Sequence, residues 1–139
     1  MYLLDTNVVS ELRKRASGRA NAGVLRWAES VIPELLYLTV VSTLELEMGM
    51  LQMERRDQRQ GEALRNWYRT AVLPAFDGRI MPVDSQVASE CARFQVPDPR
   101  PFRDSLIAAT ASVHQFVLVT RNLRDFREMD IELLDPWTD

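Results

Sequence analysis

Short runs of apolar residues alternate along this chain with longer segments of helical periodicity, and that alternation limits the folds available to it. Runs of this length and composition are typical of buried strands. The predicted strands are Tyr2–Leu4, Leu35–Val41, Arg79–Val83, Phe116–Val119 and Ile131–Leu134. Strands that alternate with helices favour a parallel sheet covered by helices on both faces. We therefore predict an α/β fold with a central parallel sheet of about five strands.

Helices are predicted between these strands from the spacing of apolar residues and from the residues that begin and end each segment. They cover Asn7–Lys14, Val24–Val31, Ser42–Arg56, Glu62–Leu73, Ser85–Phe94 and Phe102–His114. In this interpretation Ser42 begins the third helix and Gly61 separates it from the fourth. Asp84 is expected to cap the fifth helix, and a proline-rich loop leads into the sixth.

The composition, with 46% hydrophobic and 27% charged residues among 139, fits one soluble domain that covers residues 1–139. The longest apolar stretch, from Val31 to Leu46, is interrupted by Pro33 and is too short to cross a bilayer. The only cysteine, Cys91, excludes an internal disulfide and suits a reducing compartment. No basic segment followed by an apolar one opens the sequence. We therefore expect a cytoplasmic protein with no membrane partner.

The net charge of −3 does not exclude a nucleic-acid partner, because net charge describes the whole surface and not one groove. Basic residues cluster after the first predicted helix, at Arg13, Lys14, Arg15 and Arg19. This segment either follows a nucleic-acid backbone or is an ordinary solvated loop.

Several acidic residues are expected at one edge of the predicted sheet. Asp5 directly follows the first strand, and Glu45 lies in the first turn of the helix after the second. Asp104 opens the helix before the fourth strand, and Asn122 and Asp125 follow that strand. Parallel sheets bind their ligands at the carboxyl ends of the strands. Oxygen ligands from separate segments favour a hard cation such as Mg²⁺ or Mn²⁺, which activates water and neutralises charge on a phosphoryl group.

Each of these acids also has a purely structural interpretation. Asp5 is a suitable N-cap for the first helix, and Glu45 stands three residues after Ser42, as in a capping box. The helix dipole favours Asp104 at a helix start without any function, and Asp125 is a common turn former. The joint placement of the acids favours a cation site, because caps have no reason to share one edge of a sheet.

Glu47 competes with Glu45 as the acid of the third helix. Two residues apart on a helix, their side chains point in different directions, so only one of them faces the sheet edge. Glu45 is nearer the predicted start of the helix, and we assign the site residue there.

Three segments resemble the conserved motifs of PIN-domain toxins of the VapC and FitB kind. The opening YLLDTNVVSEL resembles their first motif, in which a strand ends in an aspartate followed by Thr-Asn. TVVSTLELEMG resembles the second, with a glutamate in a helix and a glycine four residues later. FRDSLIAATASVHQFVLVTRNLRDF resembles the third and fourth. The resemblance covers essentially the whole chain, in order and at compatible spacing.

This resemblance implies a three-layer α/β/α sandwich, a homodimer, and RNA cleavage that depends on Mg²⁺ or Mn²⁺. It assigns the metal-binding acids to Asp5, Glu45 and Asp104. At a fourth position, where some relatives have aspartate, this chain has Asn122. Either Asn122 or Asp125 then completes the cluster, and the number of bound ions, one or two, stays open.

The resemblance also implies roles for polar residues around the acids. Thr6 and Thr120 either support the acids or hold a metal-bound water. Arg121 and Arg124 flank the acidic edge and are candidates for contact with a substrate phosphate.

Relatives of this kind are silenced by an antitoxin that covers the toxin and can send an arginine to the acids, so a cognate antitoxin is an expected partner. The helical pair from Ser42 to Leu73 offers a docking surface, or else an ordinary core stripe. Its large apolar residues are Met48, Met50, Leu51, Met53 and Trp67.

The leading hypothesis is hydrolysis of an RNA phosphodiester by a metal-activated water, with no covalent enzyme intermediate. The alternative is a PIN-like module that binds RNA or a protein partner and has little catalytic activity, which only Asn122 favours. Other enzyme classes fit poorly. An aspartyl phosphatase of the haloacid-dehalogenase kind needs a second aspartate where this chain has Asn7, and no phosphate-binding glycine loop is present.

Overall fold

The computed structural model describes residues 1–138, and within them five parallel strands form one sheet. The strands are β1 (Tyr2–Leu4), β2 (Leu36–Thr39), β3 (Ile80–Met81), β4 (Val117–Val119) and β5 (Leu133–Leu134). Their order across the sheet is β3-β2-β1-β4-β5, which places β1 at the centre. The predicted parallel sheet of five strands is confirmed, although most strands are shorter than expected.

Helices connect the strands and cover both faces of the sheet. They are α1 (Thr6–Arg13), α2 (Ala22–Ser30), α3 (Val40–Arg56), α4 (Gln58–Trp67), α5 (Leu73–Ala75), α6 (Ser85–Phe94), α7 (Phe102–His114) and α8 (Leu123–Phe126). One π-helical turn, Tyr68–Val72, joins α4 to α5. The predicted bounds of α6 and α7 are confirmed, whereas α8 was not predicted.

Successive side chains of β1 point to opposite faces of the sheet, and each face has its own core. Leu3 packs with Leu118 against α6 and α7, while Leu4 packs with Val119 against α1, α2 and the α3–α4 pair. All four leucine and valine side chains are fully buried. The predicted α/β/α sandwich is therefore confirmed, with the sheet as its middle layer.

The start of α3 differs from the prediction. The helix begins at Val40, and its N-cap is Thr39, whose hydroxyl accepts a hydrogen bond from the Ser42 backbone N at 3.1 Å. Ser42 is fully buried inside the helix. The capping-box interpretation of Ser42 with Glu45 is therefore wrong, and Glu45 lies in the second turn of α3 and not in the first.

Gly61 does not interrupt the helical pair, because it lies inside α4. The break falls at Asp57, whose carboxylate caps α4 by accepting a hydrogen bond from the Gln60 backbone N at 3.1 Å. A Cβ at position 61 would lie 2.5 Å from the Cα of Glu54, so glycine allows α4 to approach α3 closely. Arg65 of α4 stabilises this contact between the two helices by donating two hydrogen bonds, of 2.7 and 2.8 Å, to the Glu54 carboxylate of α3.

The capping prediction for α6 is confirmed, since the Asp84 carboxylate accepts a hydrogen bond from the Val87 backbone N at 3.0 Å. Cys91, on the same helix, is buried against the sheet. Within residues 1–138, none of the helices combines the length and the apolar character needed to span a membrane.

Replacing Gly61 with alanine is expected to lower the free energy of unfolding by about 1–3 kcal/mol, because the new Cβ pushes α4 away from α3. Gly49→Ala is the matched control. Gly49 lies in the middle of α3, where a Cβ meets nothing within 4 Å, so alanine should raise the free energy of unfolding by about 0.5–1 kcal/mol. Urea unfolding of both variants measures the difference, and equal effects would contradict the close-packing role of Gly61.

Candidate active site

Asp5 is the innermost acid of the site. It follows β1 at the carboxyl edge of the sheet, and its backbone N continues the ladder by donating to the Val119 carbonyl at 2.9 Å. Its side chain is 6% exposed. One carboxylate oxygen accepts from the Thr6 backbone N at 2.8 Å, and the other accepts from the Thr120 hydroxyl at 2.8 Å. The cap interpretation is thus correct, and the same residue also faces the acidic edge.

Burial is the main cause that raises the pKa of Asp5 from its usual 3.8 to about 6. The hydrogen bonds from Thr120 and Thr6 act in the opposite direction, because they stabilise the charged form. The negative charges of Asp104 and Glu45 raise the pKa further. The three acids predicted to converge therefore lie within electrostatic range of one another.

Glu45 is held at this edge from α3. Its Oε1 accepts a hydrogen bond of 2.6 Å from the Thr6 hydroxyl, which also lies 3.0 Å from the Ser42 hydroxyl. Glu47 instead accepts a hydrogen bond of 2.8 Å from the Tyr68 hydroxyl. Glu45 is thus the acid of α3 that contacts the residues after β1, while its role as a site residue stays a prediction.

Asp104 reaches the edge from the first turn of α7 and is half-buried. Burial raises its pKa, and the charges of Asp125 and Glu45 raise it further, while Arg103 lowers it. Asp104 therefore connects two parts of the site electrostatically, one on α3 and one after β4.

The segment after β4 supplies the fourth carboxylate through Asp125. Asp125 lies in α8, and its charge acts on Asp104. Asn122 is exposed and precedes α8, and its backbone N donates to the Thr120 hydroxyl at 3.0 Å. The electrostatic contact with Asp104 thus comes from Asp125, while the role of Asn122 as a ligand stays a prediction.

The two threonines of the site connect the acids to the sheet. Thr120 is fully buried directly after β4, and Thr6 opens α1 directly after Asp5. Each hydroxyl donates to one carboxylate, Thr120 to Asp5 and Thr6 to Glu45. The prediction that they support the acids agrees with this geometry.

Arg103 was not predicted as a site residue. Its guanidinium lies 3.4 Å from Oε2 of Glu45, the one cation within ion-pair distance of these four acids among residues 1–138. The adjacent Asp104 was the available signal, because residue 103 must lie beside the same edge. Asn7 was also missed as a contact, and its amide lies 3.5 Å from both Asp5 and Thr120.

Arg121 lies next to the acids but faces the C-terminal segment. Its guanidinium carbon is 5.5 Å from the centre of the Trp137 ring, and its backbone N lies 3.5 Å from the Asn7 side-chain oxygen. The side chain is exposed, so contact with a phosphate remains a prediction for it.

The site fits a hydrated Mg²⁺ or Mn²⁺ better than a dehydrated one. In the part of the chain that the structure describes, no three acidic, histidine or cysteine side chains are spaced to bind a single ion directly. Mg²⁺ usually keeps several waters and takes only one or two protein carboxylates. Asp5, Glu45, Asp104 and Asp125 offer hard oxygen atoms. Burial raises the pKa of Asp5 and of Asp104, and the neighbouring carboxylates raise both further, so a divalent cation would neutralise charge that is costly here.

Comparison with known proteins gives matches over the full length of the chain. Residues 2–132 match the family model described as PIN domain. The chain is 33% identical over 142 residues to VapC ribonuclease Y4jK of Sinorhizobium fredii, covering 99% of this chain and 98% of that protein. It is 33% identical over 145 residues to Toxin FitB of Neisseria gonorrhoeae, with 100% of both covered. The crystal structure of FitAcB from Neisseria gonorrhoeae has a TM-score of 0.88 at 32% identity, covering 99% of each chain.

The raised pKa of Asp5 predicts a dependence of stability on pH in the presence of EDTA. Because the folded pKa is near 6 and the usual value is 3.8, charging Asp5 disfavours the folded state as the pH rises through this window. Asp5→Asn should therefore unfold like wild type at pH 4 and be more stable by about 3 kcal/mol at pH 8. Denaturant unfolding at both pH values measures this, with the exposed Asp77→Asn as control. A difference that does not change with pH would contradict the prediction.

Proposed function

This chain belongs to the PIN-domain family, and we propose that it is a metal-dependent endoribonuclease, the toxin of a toxin–antitoxin pair. The observation that carries the proposal is the gathering of Asp5, Glu45, Asp104 and Asp125 at the carboxyl edge of the sheet. Burial of two of them among like charges costs stability, and that cost is offset when a cation binds. A purely structural set of helix caps has no need of this arrangement.

Asp5, Asp104 and Glu45 would hold a hydrated Mg²⁺ or Mn²⁺, partly through its water ligands, with Asp125 or Asn122 completing the cluster. The cation would supply a water of lowered pKa and neutralise charge on the phosphoryl group. The chain's own residues orient the acids. Thr120 fixes one carboxylate oxygen of Asp5, and Thr6 fixes one of Glu45. The hydrogen bond from Thr120 favours the charged form of Asp5.

Arg103 is the cation nearest to the reacting phosphate in this proposal. It is half-exposed and its ion pair with Glu45 is 3.4 Å long, so the guanidinium is free to exchange one anionic partner for another. Arginine binds phosphate through paired hydrogen bonds. Arg121, whose backbone N lies 3.5 Å from the Asn7 side-chain oxygen, is a second candidate for phosphate contact.

Support for RNA as the substrate and for an antitoxin as the partner comes from the relatives. One is named a VapC ribonuclease and another the toxin FitB, and both match the chain over its whole length. We also propose that the activity is cytoplasmic, because cellular RNA is found there.

An exposed apolar stripe on α3 supports the proposal of a homodimer. Val40, Leu44, Met48 and Leu51 lie along one face of the helix and are each 39–54% exposed, and Phe102 at the start of α7 is 70% exposed. Large contiguous apolar surfaces on soluble proteins mark interfaces. A symmetric dimer would bury this stripe against its own copy.

Wild-type protein is expected to cleave a pool of structured RNAs in Mg²⁺ or Mn²⁺ and to be inactive in EDTA. Asp104→Asn should lower the rate by at least about a hundredfold, because it removes one charge from the cation site. Gel electrophoresis of the RNA fragments measures the rate. Asp77→Asn, purified identically, controls for a contaminating nuclease.

Mn²⁺ binding distinguishes the two functional hypotheses in the same preparation. Calorimetric binding to wild type that is lost in Asp104→Asn supports the cation site even where the pool lacks the right RNA. If wild type neither binds Mn²⁺ nor cleaves RNA differently from Asp104→Asn, the enzyme proposal fails and a binding module is the better description.

Leu51→Asp is expected to convert the dimer into a monomer, because a charge in the α3 stripe would be buried without a partner. Light scattering after size-exclusion chromatography measures the mass. Ile32→Asp is the matched control, since Ile32 is 62% exposed but lies outside the stripe. If Leu51→Asp protein is still a dimer, the α3 stripe is not the dimer interface.

A further inference from the structure

A long groove of about 760 Å³ runs from the acidic edge along the helical pair. It lies between α1, α3 and α4, and Thr6 and Glu45 line it at the end that adjoins the candidate active site. The other end is lined by the last turn of α3. We call this feature the α3–α4 groove. The groove divides the apolar residues that were predicted to form either a docking surface or a core stripe. Met53 and Trp67 line the groove, whereas Met48 and Leu51 belong to the exposed stripe on α3.

The α3–α4 groove is basic although the chain as a whole is acidic. Four basic side chains line it, against the single acid Glu45. They are Arg13, Lys14, Arg55 and Arg56. Lys14 pairs with Glu11 at 3.2 Å, while within residues 1–138 the three arginines are in no ion pair. Cations left unneutralised along one groove favour a polyanion as its occupant.

The floor of the groove is apolar and contains an aromatic ring. Leu46, Met53 and Leu64 line it together with Trp67. The guanidinium carbon of Arg13 lies 5.8 Å from the centre of the Trp67 ring, so a charge and a flat surface lie side by side. Proteins that bind single-stranded nucleic acid combine these features, with cations for the phosphates and aromatic faces for the bases. A duplex would not use the floor, because its bases are already stacked.

We infer that the α3–α4 groove binds a single-stranded RNA segment that flanks the scissile phosphate. The phosphates contact Arg13, Lys14, Arg55 and Arg56, and the bases pack on the floor around Trp67. The twelve residues from Glu45 to Arg56 are separated by eleven helical steps, about 16 Å of helix, which is enough for about five stacked nucleotides. This inference rests on the proposed function, and it assigns the RNA beside the cleavage site to one defined groove of the chain.

The test measures RNA binding without cleavage. Asp104→Asn protein in EDTA is titrated into a fluorescently labelled ten-nucleotide uridine RNA, and anisotropy reports the affinity over a series of salt concentrations. In that background, Arg55→Glu with Arg56→Glu should weaken binding at least tenfold. The slope of log K against log salt should become shallower by about 1.4, which is 0.7 for each lost phosphate contact.

Arg59→Glu with Arg69→Glu is the matched control, because these two arginines are exposed but do not line the groove. The same change of charge there should alter the affinity less than threefold. Trp67→Leu keeps an apolar floor and removes the aromatic face, so it should weaken binding at least fivefold with an unchanged salt slope. Thermal unfolding followed by circular dichroism confirms that each variant is folded.

The inference is overturned if groove and control variants lose affinity equally, or if the groove variant binds as well as its parent. It is also overturned if a ten-residue glutamate peptide binds the groove as tightly as the RNA and responds to the same variants, since the groove would then suit an acidic protein segment. Groove-dependent RNA binding by wild-type protein that neither binds Mn²⁺ nor cleaves RNA would uphold the groove and reject the proposed enzyme activity. If wild type cleaves RNA but the groove variants bind RNA as well as their parent, the enzyme activity is upheld and the groove is rejected.

Discussion

The candidate site depends on the pairing of β1 with β2 on one side and with β4 on the other. Both pairings are parallel, so the residues that end or follow these strands meet at the same edge. Asp5 follows β1, and Thr120 follows β4. Thr39 ends β2 and caps α3, the helix that carries Glu45. Cross-strand register brings the Thr120 hydroxyl within 2.8 Å of an Asp5 oxygen, although 115 residues separate them. A change in register would separate them.

This arrangement opposes the stability of the isolated chain. A carboxylate that is 6% exposed and lies near two other acids is costly to ionise, and the pKa of Asp5 near 6 reports that cost. Two hydrogen bonds to the charged form recover only part of it. Apolar side chains at these positions would pack against the sheet without such a cost. The burial of Asp5 and Asp104 at one edge is therefore better explained by what the acids bind than by the stability of the fold.

Sequence reasoning found what short-range patterns determine and missed what tertiary packing determines. Local composition predicts the strand before Asp5, the cap at Asp84 and the bounds of α7. All three are observed. Ser42 and Gly61 were misinterpreted because the reasons for them lie on other elements. Ser42 is buried beside Thr6, and Gly61 makes room for the backbone of Glu54. The Arg103–Glu45 ion pair joins two helices and has no local signature.

The separation of charge on this molecule explains how an acidic protein can act on an acidic polymer. Carboxylates are concentrated at the sheet edge. The adjoining groove is lined by Arg13, Arg55 and Arg56, which form no ion pair within residues 1–138. A phosphate is repelled by the edge while the acids are unneutralised, but it is attracted by the groove at a distance of about one Debye length, roughly 8 Å in physiological salt. An RNA strand would therefore be held first by the groove. Its entry to the acids would then depend on their neutralisation, so that substrate binding and cation binding favour each other.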